Sequence, residues 1–147
     1  MNRLRFLLPV ITVFMIAFIW VHSMMPGDAS ASESGFLLSL VDGVFGEGII
    51  TEHIIRKTAH FTEYMLLGII CCADFAAYGK GGFGYALVSL YICLFTAVVD
   101  ESIQLFVVGR SGMLFDVWLD HIGSITGTAV LNIILALKRS LLKGLSH

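Results

Sequence analysis

Residues 100–120 read DESIQLFVVGRSGMLFDVWLD, and this stretch decides the fold because its charge sits where the surrounding sequence is apolar enough to be membrane. Asp100, Glu101, Asp116 and Asp120 supply carboxylates, Gln104 an amide and Arg110 a guanidinium. An ionisable side chain at membrane depth costs at least ~2.5 kcal/mol on insertion scales, so it faces a bundle interior or a wet cavity and takes a partner there. The partners must come from neighbouring helices.

Composition supports the membrane reading. The 147 residues are 57% hydrophobic and 14% charged, with a mean hydropathy of +0.89, outside the range of soluble domains and typical of a polytopic membrane protein. A net charge of −2 is uninformative as a total, whereas its distribution along the chain is not; no nucleic-acid partner is expected. Cys71, Cys72 and Cys93 lie in apolar runs, with neither a disulfide framework nor zinc-type spacing; they read as small core residues.

Outward from the quoted stretch, the apolar segments predict spans at approximately 4–22, 55–78, 84–108 and 114–137. The expected architecture is an all-α, four-helix transmembrane bundle in a single domain, 1–147. The first run follows Arg3 and Arg5, and an Ala29-Ser30-Ala31 sequence raises the rival reading of a cleaved signal peptide. The run is long for such a peptide and the site lies well beyond its end, so a retained span is expected. Residues 23–51 read as a loop outside lipid. Within it, Phe36, Leu37, Leu40, Val41, Val44 and Phe45 recur at helical spacing and predict a short amphipathic helix. That helix either lies on the outer membrane surface or packs over the bundle.

Cytoplasmic flanks are enriched in lysine and arginine. With four spans, both termini and the Lys80 turn share a side, which collects Arg3, Arg5, Lys80, Lys138, Arg139 and Lys143. Both termini are therefore expected to be cytoplasmic, and the clustered polar groups fall in the outer half of the bilayer.

Groups three, four and seven residues apart share a helix face. One stripe runs Arg56, His60, Glu63, Leu67, Cys71, Asp74; another Ser89, Cys93, Thr96, Asp100, Gln104, with Glu101 to one side. A third runs Asp116, Asp120, Gly123, Gly127, where GxxxG spacing predicts close backbone approach to a neighbouring helix. At ~1.5 Å per residue, three helices deliver His60, Glu63, Asp100, Gln104, Asp116 and Asp120 to one layer, with Arg56, Lys57 and Arg110 above it. Blander readings exist for each residue alone: His60 as a hydrogen-bonded bundle residue, Asp116 as a helix cap, Arg110 as the partner of Asp116. Their number in one layer favours a site. Its expected binding residues are Arg56, Lys57, His60, Glu63, Asp100, Glu101, Gln104, Arg110, Asp116 and Asp120.

RKTAHFTEYMLLG (Arg56 to Gly68), DESIQLFVVGRSG (Asp100 to Gly112) and DVWLDHIGSITG (Asp116 to Gly127), with the His22 to Pro26 segment after the first span, resemble the VanZ-like membrane proteins, a family named for an accessory protein of teicoplanin resistance. The family often has histidine where this chain has Ile103 and proline where it has Val108, so roles needing those groups are not carried over. The resemblance implies a multi-pass protein of a bacterial cytoplasmic membrane, linked in some members to glycopeptide tolerance. It implies no particular reaction.

Four functional readings follow. The layer binds an anionic lipid-linked headgroup, with membrane lipids, a lipid-linked cell-wall precursor or a glycopeptide as partner. It is an active site, with His60, Glu63, Asp100 and Asp120 as catalytic candidates. It is a small transporter, a reading weakened by an inner half holding only Asp74. Or the chain is a structural partner of another envelope protein. No cofactor is expected, and no metal, since no helix carries a His-x-x-x-His or Glu-x-x-His pair.

Overall fold

A computed structural model describes residues 3–144. Five helices follow in order: α1 (Leu4–Ser23), α2 (Gly27–Phe45), α3 (Glu52–Ala77), α4 (Phe83–Gln104) and α5 (Leu114–Gly144), with no strand among the described residues. All except α2 are long and apolar enough to cross a membrane. Their outer surfaces carry Phe14, Phe18, Tyr91, Phe95 and Ile133, all exposed, while Ser89, Thr96, Asp100, Asp120, Ser124 and Thr128 are buried. That inversion of a soluble protein's pattern suits a bundle whose solvent is lipid.

The helices alternate in direction. One end of the bundle brings together the end of α1, the starts of α3 and α5, and the end of α4, as contacts from Ser23 to Asp100 and from Lys57 to Asp116 require. At the other end Arg5 Nε donates to the Ala77 carbonyl at 2.7 Å, the Tyr78 hydroxyl donates to the Arg5 carbonyl, and Arg139 lies against Gly81. The start of α1, the last turns of α5 and the turn around Lys80 thus share one end.

The tightest packing joins α3 and α5. A Cβ built on Gly127 would lie 2.0 Å from the Met65 carbonyl oxygen, one on Gly123 2.5 Å from that of Phe61, and one on Gly68 2.4 Å from that of Ser124. The GxxxG face is therefore used within the chain, where missing side chains let two backbones touch. Below the polar layer, Ile19, Tyr64, Leu67, Cys71, Cys93, Ala97 and Val117 form the apolar core, and the three cysteines are free and buried.

Three boundaries differ from expectation. The helix in the first loop is not short: α2 has 19 residues, starting directly after Pro26, whose fixed φ favours helix entry. It turns Gly27, Ser30 and Ser34 inward and leaves Phe36, Leu40, Val44 and Phe45 exposed. Second, α4 stops at Gln104, short of the expected 108. Successive turns carry the chain back over the helix end, where the Glu101 carboxylate accepts from the Met113 backbone N–H at 2.8 Å. Leu105, Phe106 and Val108 are apolar and exposed beyond the helix end, and hydropathy cannot distinguish such a run from helix. Third, α5 continues past 137 to Gly144, since lysine and arginine are good helix formers and suit a C-terminal turn. At the start of α3, Thr51 accepts from the Ile54 N–H at 3.4 Å as the N-cap.

Candidate functional site

The charged end of the bundle encloses a pocket of about 160 Å³, lined among others by His53, Arg56, Lys57, His60, Glu101, Gln104, Arg110, Asp116 and Asp120. Helical periodicity explains the convergence: Arg56 and His60 are one turn apart on α3, Asp100 and Gln104 on α4, Asp116 and Asp120 on α5.

His60, Asp100 and Asp120, one from each of these helices, cluster at the floor; His60 and Asp120 line the pocket, whereas Asp100 does not. Both aspartates are 0% exposed and the histidine 8%. His60 Nδ1 lies 3.8 Å from Asp100 Oδ2 and 4.0 Å from Asp120 Oδ1, within ion-pair range and too long for hydrogen bonds. One ligand atom from each residue lies within 4.8 Å of the others, a set able to hold a metal ion. The His-x-x-x-His criterion looks along a single helix and does not detect ligands drawn from three.

Asp100 is held in place. Ser23, the last residue of α1, donates to its Oδ1, and Gln104 Nε2 approaches Oδ2 at 3.5 Å while donating to Glu101 Oε1 at 3.1 Å. Asp120 has no such support: neither carboxylate oxygen has a hydrogen-bond partner among the described residues, nor has His60 Nδ1 or the Tyr64 hydroxyl.

The cations above the floor have separate fates. Lys57 pairs with Asp116. Arg110 Nε and Nη2 donate to the carbonyls of Met25 and His22 at 3.2 and 3.3 Å, so it caps the C-terminal end of α1, where a positive charge is favoured, and does not pair with Asp116. Burial, then the like charge of Arg56, depress the Arg110 guanidinium below its ordinary value, although guanidinium stays charged in proteins. Arg56 Nε is buried with no hydrogen-bond partner.

Glu63 stands apart. It does not line the pocket; its Oε1 lies 3.3 Å from His22 Nδ1, and His22 Nε2 lies 3.2 Å from Glu33 Oε2. Sequence reasoning missed His22 and Ser23 as site residues: the first closes the expected span and the second reads as loop. The helical register from Ile19 to Ser23, both buried, is the signal that would have placed Ser23 on the bundle face.

A clasp closes the layer from above. The Gly27 N–H donates to the Val108 carbonyl at 3.0 Å, and a Cβ on Gly27 would lie 2.2 Å from the Gly109 carbonyl oxygen. Gly109 itself has φ 77°, open to glycine at no steric cost. A family model described as VanZ/LLP1 matches residues 8–135. The chain belongs to the VanZ/LLP1 family. The match contains all three motifs, and in this VanZ/LLP1 fold they meet around one pocket, with His22 and Ser23 of the first span in contact with them. No curated protein and no solved structure matches the chain.

Proposed function

We propose that the pocket holds the phosphate of an anionic, lipid-linked envelope component at the outer leaflet of a bacterial cytoplasmic membrane, and that holding it contributes to tolerance of teicoplanin-type glycopeptides. The observation that carries this reading is Arg56, a half-buried arginine whose Nε is buried with no hydrogen-bond partner among the described residues, in a pocket that Arg110 also lines. A buried N–H donor without a partner is costly, and a bound anion removes the cost; guanidinium is suited to phosphate because it can donate two parallel bonds. The pocket volume of about 160 Å³ is below the about 300–1,000 Å³ that encloses drug-sized ligands. It therefore favours a phosphate over a whole glycopeptide as the group held.

The probe is Arg56→Gln. The variant is expected to lose anionic lipid that the wild-type chain retains in phosphatidylglycerol nanodiscs, and to lower glycopeptide tolerance in cells at unchanged membrane level. Equal lipid retention by variant and wild type would sink the reading. Arg110→Ala is a poorer probe, because it also removes the tie to the α1 carbonyls and is expected to lower protein level.

A second reading, hydrolysis or group transfer on the headgroup, draws on His60 with Asp100 and Asp120 beside it. Glu63 is less suited as the base, being turned to His22. Turnover of envelope lipids in proteoliposomes separates this from binding.

A further inference from the structure

Asp120 is a carboxylate with no exposure and no hydrogen-bond partner for either oxygen among the described residues. A second carboxylate and an imidazole with a free nitrogen stand close by. Leaving such a carboxylate ionised and uncompensated in a low-dielectric interior costs several kcal/mol, so it calls for a proton or a cation. Among the residues lining the pocket the lysines and arginines are Arg56, Lys57 and Arg110, and none of the three forms an ion pair with Asp120.

We propose that His60, Asp100 and Asp120 bind one divalent first-row cation of the zinc or manganese class at the floor of the pocket. Donor atoms around an ion at ~2.1 Å lie between about 3.0 and 4.2 Å apart, depending on the angle they subtend. The separations of 3.8 and 4.0 Å from His60 Nδ1 to the two carboxylates stand at the upper end of that range, so loading draws the three side chains inward, whereas they are too long for the direct hydrogen bonds the three groups would otherwise form. Ser23 holds Asp100 Oδ1 and leaves Oδ2 toward His60, the kind of outer support that orients metal-binding carboxylates. One imidazole with two carboxylates fits zinc or manganese better than calcium or magnesium, which prefer oxygen alone. Three protein ligands leave coordination positions for water or an incoming group, and Asp120 and His60 line the pocket below Arg56. The inference goes beyond the headgroup reading and stands without it.

Metal content after chelator stripping, reloading with ZnCl2 or MnCl2 and desalting tests it on the full chain in detergent. Wild type is expected to hold about one ion per chain and to gain thermal stability on loading. Asp120→Asn is expected to bind at least about tenfold more weakly. Its metal-free form is expected to melt no lower than metal-free wild type, because the substitution removes a buried charge, and to gain nothing from metal. Asp74→Asn, far from the pocket, is expected to load normally. A monodisperse wild-type chain that binds neither ion overturns the proposal, as does equal binding by Asp120→Asn. Arg56→Gln keeps the two readings separate: it is expected to lose anionic lipid and retain the ion, whereas Asp120→Asn loses the ion. Anionic lipid retained by metal-free wild type alongside failed loading would end the metal proposal and leave the headgroup reading intact.

Discussion

Ser23 is a small residue with a large duty, because its hydroxyl is the tie between α1 and the buried Asp100 carboxylate. Ser23→Ala is expected to leave Asp100 Oδ1 buried without its donor and to destabilise the chain by ~1–3 kcal/mol, read as a shift in unfolding midpoint in detergent; an unchanged midpoint would show that the bond is worth nothing. The polar face of the pocket was legible residue by residue, since His60, Asp100, Gln104 and Asp120 follow helical spacing and are buried. Pairings were not legible. Periodicity places a side chain on a face and gives no distance to the next helix, so Lys57 with Asp116, Arg110 on the α1 carbonyls and Glu63 beside His22 emerge only from coordinates.

At the scale of elements, glycines sort into two kinds. Gly127→Val forces a side chain into the Met65 carbonyl and is expected to cost about 1–3 kcal/mol or more by overpacking, lowering both melting temperature and membrane level. Gly43, inside α2 with nothing within 4 Å, behaves oppositely: Gly43→Ala is expected to stabilise by roughly 0.5–1 kcal/mol. Similar melting temperatures for the two variants would contradict the packing described for α3 and α5. The GxxxG spacing announced that contact in the sequence. The length of α2 was not announced, because Pro26 and Gly27 are loop residues by composition and helix-starting residues by position, and the serines that follow read as polar connection although Ser30 and Ser34 face the bundle.

For the molecule as a whole, the four spans were legible from apolar length alone, and basic residues assign a side. Arg5, Lys80 and Arg139 come from the end of the bundle where Arg5 bonds Ala77 and Arg139 meets Gly81. That end is expected to be cytoplasmic. Cysteines introduced at Ser39 and at Gly84 should react with an impermeant thiol reagent outside the cell at the first position only; the reverse pattern would invert the orientation. The clasp of Gly27 on Val108 and Gly109 has one more consequence, which concerns time. Its two halves stand far apart in the chain, as do Ser23 and Asp100, 77 residues from each other, so the first helix leaves the ribosome long before its contacts exist. A nascent chain ending before α4 is complete holds Arg56 and His60 with no acidic neighbour from α4 or α5. The pocket is therefore among the last features to assemble, and truncated chains present quality-control proteases with an unfinished, charged helix.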